Sequence, residues 1–168
     1  DHGAHGVLDL SILRNDDEIG AALAAKKDVD CLNVSNAGEV FLGRSRYAAC
    51  TPRSGMAILE YYGIELAGKH AVVIGRSNVV GKPVSMLLLQ KNCTVTICHS
   101  RTKDLPSIVK EADIIVAAVG KAGFVVPEMV KEGAIIVDVG INMVDGKLCG
   151  DVDPACEEKA SAFTPVPG

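Results

Sequence analysis

The sequence predicts a doubly wound α/β fold, in which a parallel sheet is covered by helices on both faces, and three observations lead there. Four short runs, "HAVVIG" (70–75), "CTVTIC" (93–98), "DIIVAAVG" (113–120) and "AIIVDVG" (134–140), are dominated by Val and Ile and lack polar alternation. Strands buried on both faces look like this. Helical patterns separate them, at about 82–91, 104–111 and 127–131, and strand–helix alternation at this spacing builds parallel units. The first strand runs into a loop bracketed by Gly75 and Gly81, with Pro83 in the opening turn of the helix that follows.

Upstream, "TPRSGMAILEYYG" reads as a helix with Thr51 at its N-cap, Pro52 at its first position and Gly63 as terminator. The first fifty residues are different. They hold one helical pattern, roughly 15–25, and a few strand-like pieces, but no complete βαβ unit. Such a segment cannot close a core alone and reads as part of a second domain. The division expected is therefore 1–50, an incomplete domain, and 51–168, the doubly wound domain.

Composition narrows the function classes. The chain has 168 residues, 48% hydrophobic and 23% charged, and this is enough to bury a core. A net charge of −4, with no clustered Lys/Arg face, argues against a nucleic-acid surface. The apolar runs are too short to cross a bilayer, and the opening residues do not read as a signal peptide. The six cysteines form no CxxC pair and none stands at zinc-ligand spacing from a histidine, so no metal is expected. Cys93 and Cys98 fall in a strand-like run and read as buried free thiols, which suits a reducing, cytoplasmic compartment.

The loop invites a ligand. A helix N-terminus just after a buried strand offers free N–H groups and positive dipole charge to an anion. Gly75 is free to take positive φ, and Gly81 permits close packing where the helix begins. A P-loop is excluded, because Gly81-Lys82 is followed by Pro83 and not by Ser or Thr. A plain β–α turn is the bland alternative, and three further features weigh against it. Arg76 follows the strand directly and can reach an anion above its end. The second strand ends in His99-Ser100-Arg101-Thr102, where NAD-selective folds carry an acid for the ribose 2′-hydroxyl. Ser and Arg there favour a 2′-phosphate, which arginine can bind bidentately. The third and fourth strands end in Gly120 and Gly140, small enough for a cofactor to lie across the edge. These residues point to NADP over NAD.

The stretch from Thr51 to Leu105, with "ADIIVAAVGKAGFV", "KEGAIIVDVGIN", "GDVD" and "TPVPG", closely resembles the bifunctional methylenetetrahydrofolate dehydrogenase/methenyltetrahydrofolate cyclohydrolase family. The likeness runs from about Lys27 to Gly168, and the combination of "GRSxxVGxP", "CHSRT" and "DVGIN" is specific. The resemblance implies a Rossmann-like NADP domain in which Gly75, Arg76, Ser77 and Gly81 line the phosphates. It implies that Ser100, with Arg76 and Arg101, meets the 2′-phosphate, and that Gly140 and Ile141 lie near the nicotinamide. Thr51 and Thr164 would border the cleft between domains, and Asp30, in "KDVD", would keep a folate-binding carboxylate role. The implied reaction oxidises 5,10-methylenetetrahydrofolate by hydride transfer and hydrolyses the methenyl product to 10-formyltetrahydrofolate, in one-carbon metabolism.

The sequence also departs from that family. Its catalytic lysine lies in a Tyr-x-x-x-Lys segment, whereas Tyr47, Tyr61 and Tyr62 are followed by "AACT", "YGIE" and "GIEL". The family's "VQLPLP" stretch would fall near "GVLDLSILR" (6–14), which keeps neither its glutamine nor its prolines. The glycine expected after Asp30 is Cys31, and the family continues past Gly168 with more glycines and a final helix. The nucleotide half is intact and the folate half, residues 1–50, is partial. The catalytic residues are not assigned.

Blander readings stand beside several residues. On spacing alone Asp30 is a solvated loop acid, and only the "KDVD" match lifts it. Arg101 can be read as a surface charge in a polar stretch, though its place at a strand end favours ligand contact. His99 reads as a structural histidine beside the cofactor loop and not a base, and Asp138 as a hydrogen-bonded buried acid. Lys69 and Lys82 read as flanking charges, not as substitutes for the missing lysine.

Two function classes remain: an enzyme, or part of one, acting on tetrahydrofolate derivatives, and an inactive NADP-binding module lacking the lysine. A longer natural N-terminus carrying the Tyr-x-x-x-Lys segment favours the first, and translation beginning near Asp1 the second. The 168-residue chain alone is expected to be inactive. A homodimer through the nucleotide domain is implied by the resemblance, and an uncovered apolar face and an extended segment at 41–50 ("FLGRSRYAAC") give it independent support. The alternative is that this segment folds back on its own helix and leaves a monomer.

Overall fold

The computed structural model describes residues 20, 22–45 and 47–167. Residues 6–14 and most of the expected helix at 15–25 lie outside the described residues; Gly20 and Ala22 are helical, and the chain has left the helix by Leu23.

Two helices come first, α1 (Val34–Phe41) and α2 (Cys50–Tyr61). Then follow β1 (His70–Ile74), α3 (Gly81–Gln90), β2 (Thr94–Cys98), α4 (Leu105–Lys110), β3 (Ile114–Ala117) and β4 (Ile135–Asp138). A hairpin, β5 (Asn142–Val144) with β6 (Lys147–Cys149), and a short β7 (Ala162–Phe163) complete the set. The main sheet has five strands in the order β2-β1-β3-β4-β7, and every pairing in it is parallel. β1 leads outward to β2, and the chain then returns to β3 on the other side, so the direction reverses between β1 and β3. Ligands of open α/β sheets bind outside the carboxyl ends of the strands at such a reversal.

Side chains alternate across β1 although nearly all of them are buried. Ala71 and Val73 pack with Met56, Leu59, Val84 and Leu88 of α2 and α3, and Val72 and Ile74 pack on the other face with Val109, Val125, Met129 and Cys156. Two apolar layers therefore sandwich the sheet, and this is why the strand runs carry no polar period. Each fully buried Leu or Val contributes about 1.5–3 kcal/mol of apolar burial. α3 starts without a side-chain cap from its own N-cap, Val80, and Pro83 loses nothing there because first-turn N–H groups have no intrahelical acceptor. α2 ends as its Gly63 predicts. Gly63 takes φ +64, its N–H bonds Glu60 O, and Ile64 N–H bonds Leu59 O, which together close a Schellman cap.

Several sequence expectations need correction. Thr51 is not the N-cap of α2: the helix begins at Cys50, Ala49 holds the cap position, and Asp30 bonds the Cys50 N–H from a distance. The helix expected at 127–131 is a single 3₁₀ turn, Pro127–Met129, because Val130 is already extended. The run 93–98 is not buried on both faces. β2 is an edge strand, and Thr94 and Ile97 reach solvent. Residues 41–50 form no strand among those described: Phe41 ends α1, turn bonds from Gly43 and Arg44 follow, and Tyr47 and Ala48 line a shared cavity with Arg53 and Met56 of α2.

The described part of the first fifty residues is organised by a buried acid. The Asp28 carboxylate accepts from the N–H groups of Leu32 and Asn33 and from Asn36 Nδ2. Gln90 Nε2 donates to Val40 O at 2.7 Å and ties α1 to α3. All six thiols are free, as expected for Cys93 and Cys98. Among the described residues no helix is long and apolar enough to cross a membrane.

Candidate functional site

One row of paired residues crosses the carboxyl edge of the sheet: Cys98, Ile74, Ala117 and Asp138 lie side by side on β2, β1, β3 and β4. The loops that leave this row carry most of the sequence-predicted site residues.

The loop after β1 is tightly closed. Gly75 has φ +135, its N–H donates to Cys98 O at 2.9 Å, and a Cβ there would fall on the Ala118 carbonyl oxygen. A Cβ at Gly81 would fall on the Gly75 carbonyl, so the backbone folds onto itself at both glycines. Ser77 Oγ accepts from Val80 N–H at 3.0 Å and from Gly81 N–H at 3.3 Å, capping α3 from inside the loop. Ser77 therefore occupies two helix-start donors itself. The N–H groups of Arg76, Ser77, Asn78 and Val79 donate to no acceptor among the described residues. The Arg76 side chain is exposed, and Lys82 Nζ is engaged with Asn78 Oδ1 at 2.6 Å. The loop is thus a cradle of open donors with an arginine at its start.

Beside it, the turn after β2 is clasped by its own ends. His99 N–H donates to Thr102 Oγ1 and Thr102 N–H to His99 O, both at 2.8 Å, and Arg101 N–H donates to His99 Nδ1 at 3.2 Å. Ser100 and Arg101 stand exposed on it, and His99 serves the turn, as a structural histidine does.

A second group gathers elsewhere along the edge. Thr51, Gly140, Ile141 and Thr164 line one cleft of about 1000 Å³ between α2, the end of β4 and the segment after β7. Thr164 Oγ1 accepts from Asp138 N–H at 2.8 Å, and Ile141 is 76% exposed. Asp30 adjoins this cleft through Cys50: its Oδ1 accepts the Cys50 N–H at 2.6 Å, and that hydrogen-bonded carboxylate raises the Cys50 thiol pKa. Cys31, where a glycine was expected, takes the glycine-like φ of +57.

No sequence motif assigns Asp151 a role, yet it is the most connected side chain of the edge. It is fully buried, and its carboxylate accepts from Val119, Gly120 and Lys121 N–H and from Asn142 Nδ2, at 2.5–2.9 Å. Its own N–H donates to Asp138 Oδ1, which also accepts from Gly140 N–H, and Val152 N–H bonds Asp138 Oδ2. Burial raises the Asp138 pKa against these three donors. Two acids, Asp138 in "VDVG" and Asp151 in "GDVD", each beside valine and close to glycine, were the signal: a carboxylate is buried only where donors await it.

Residues 49–168 match the family described as tetrahydrofolate dehydrogenase/cyclohydrolase, NAD(P)-binding domain. The chain belongs to that family. It is 52% identical to the bifunctional protein FolD of Lysinibacillus sphaericus over 99% of this chain and 60% of the relative. The crystal structure of the bifunctional FolD methylenetetrahydrofolate dehydrogenase/cyclohydrolase of Campylobacter jejuni superposes with a TM-score of 0.88 at 44% identity, over 90% of this chain and 55% of that one. The Trypanosoma brucei methylenetetrahydrofolate dehydrogenase-cyclohydrolase, complexed with NADP cofactor and inhibitor, gives a TM-score of 0.86 at 34% identity, over 96% and 59%. The chain thus spans about three fifths of the length of the relatives it matches.

Proposed function

We propose that the chain is the NADP-holding part of a 5,10-methylenetetrahydrofolate dehydrogenase that also hydrolyses the methenyl product to 10-formyltetrahydrofolate. Family membership supports the reaction class, and the observation that carries the cofactor is the closed loop between Gly75 and Gly81. There is no room for a Cβ at either glycine, and four consecutive N–H groups of the loop just ahead of α3, those of residues 76–79, find no acceptor among the described residues. Those features fit a pyrophosphate.

In this reading Arg76 and the loop N–H groups hold the phosphates, and the Ser77 hydroxyl, already accepting two bonds, gives its own proton outward. Ser100, Arg101 and Arg76 take the 2′-phosphate. Gly140 and Ile141 flank the nicotinamide, while Thr51 and Thr164 border the folate side of the cleft. Asp30 keeps Oδ2 for the substrate while Oδ1 holds the Cys50 N–H. NADP, when bound, supplies the hydride acceptor. The chain's contribution is to align that acceptor with the donor carbon and keep water out until hydrolysis is due. Residues up to 50 are assigned to the folate side and 51–168 to the cofactor side. The chain alone is expected to bind NADP without turnover. Titration calorimetry tests the reading: NADP is expected to bind at least about tenfold more tightly than NAD, the worth of one charge-assisted contact. Equal affinity for the two overturns it.

The same proposal includes a homodimer formed through the nucleotide domain. Met143 and Val144 of the hairpin, 67% and 46% exposed and outside the cleft, support it. Sedimentation velocity showing a single species near 17.5 kDa, with and without NADP, would eliminate it.

A further inference from the structure

Three successive backbone N–H groups, those of Val119, Gly120 and Lys121, converge on the carboxylate of Asp151. Gly120 sits among them at φ +70. Consecutive N–H groups around a left-handed residue form a concavity that binds anions. In this molecule the anion is internal and fully buried. The same carboxylate receives Asn142 Nδ2 at the base of the hairpin, and a Cβ at Gly140 would overlap it. One side chain therefore fixes the loops that leave β3 and β4.

We infer that Asp151 is the positioning residue for the nicotinamide half of the cofactor, an inference that rests on the NADP reading above. By filling the concavity after β3, Asp151 denies it to phosphate and confines the pyrophosphate to the loop between Gly75 and Gly81. The rest of the dinucleotide then crosses residues 119–121, whose N–H groups Asp151 holds, and Gly140, against which its carboxylate packs. The adenosine end, at the turn after β2, lies beyond its reach. Turning one carboxylate oxygen of residue 151 into an amide takes the acceptor from one or two of the three N–H groups, and the loop then loses its fixed shape while the β1 loop keeps its own.

Titration calorimetry on the 168-residue chain tests this with two probes, NADP and adenosine 2′,5′-bisphosphate, the second lacking the nicotinamide half. The variants are Asp151→Asn, which turns one acceptor oxygen into a donor facing N–H groups, and Gly120→Ala. A Cβ at Gly120 meets nothing within 4 Å, so this variant strains the loop only through its φ and serves if Asp151→Asn does not fold. Both are expected to bind NADP about tenfold or more weakly and the bisphosphate within about twofold of wild type. Equal weakening toward both probes, or unchanged NADP affinity in Gly120→Ala, overturns the inference. A wild-type chain that binds neither probe overturns the cofactor reading, and this inference with it.

Discussion

A methyl group added at Gly81 would lie 2.5 Å from the carbonyl carbon of Gly75 and 2.7 Å from the nitrogen of Arg76. Both neighbours are backbone, so neither can swing aside as a side chain would. Gly81→Ala is therefore expected to cost about 1–3 kcal/mol by overpacking and to open the cradle, weakening NADP with it. Urea unfolding of the variant checks the first effect. A midpoint equal to wild type would show that the loop yields.

Arg76 is exposed and makes no ion pair among the described residues, so its removal should leave the fold alone. Arg76→Ala is expected to lose about 1.5–3 kcal/mol of NADP binding, tenfold or more, and less of NAD binding, which lacks the 2′-phosphate contact. Equal losses for both cofactors would place Arg76 on the shared pyrophosphate and not on the 2′-phosphate.

Two glycines make opposite predictions. Neither Gly63 nor Gly38 has an atom within 4 Å of an added Cβ, so only the backbone decides. Gly63 holds φ +64 at the end of α2, and Gly63→Ala is expected to destabilise by about 1–2 kcal/mol. Gly38 lies on the exposed side of α1, and Gly38→Ala is expected to stabilise by about 0.5–1 kcal/mol. Thermal midpoints that move the same way would contradict this.

Burial pushes the Cys156 thiol from 9.0 to about 11, and its Sγ donates to Val125 O at 3.5 Å. The folded value lies above the unfolded one, so the unfolded chain surrenders the proton first as pH climbs. The contribution is complete below pH 9, declines as pH rises from there, and is gone once pH passes about 11. Its size is at most about 3 kcal/mol. Cys156→Ala is expected to be less stable at neutral pH yet flatter in the alkaline range. Urea midpoints across that range that fall as steeply in the variant would assign the slope to other groups.

What the sequence showed and what it hid follow from the range of the interactions. β1, β3 and β4 were legible because burial on both faces leaves an unbroken apolar run. The cap of α2 was not, because the Cys50 N–H is bonded by Asp30, twenty residues upstream, and no local rule sees that partner. The Pro127 turn looked helical, but Lys159 Nζ holds the Pro127 carbonyl, and Gly133 N–H donates to Lys159 O just downstream. The β5–β6 hairpin was missed even though Asp145-Gly146, with φ +50 and +75, is a strong two-residue hairpin signal. In the site, the glycines and Arg76 were visible from spacing. Asp151 was not, because its four donors come from the loop after β3 and from the first residue of β5.

The turn from His99 to Thr102 keeps its shape through its first and last residues, while Ser100 and Arg101 make no side-chain hydrogen bond among the described residues. The two middle positions are thus a replaceable cassette in a self-closing frame. Changes there alter which charge the edge of the molecule displays without disturbing the clasp or the sheet beneath it. On the NADP reading proposed above, a lineage carrying this frame exchanges one cellular electron pool for another by changes confined to these two positions, away from the bonds that close the turn.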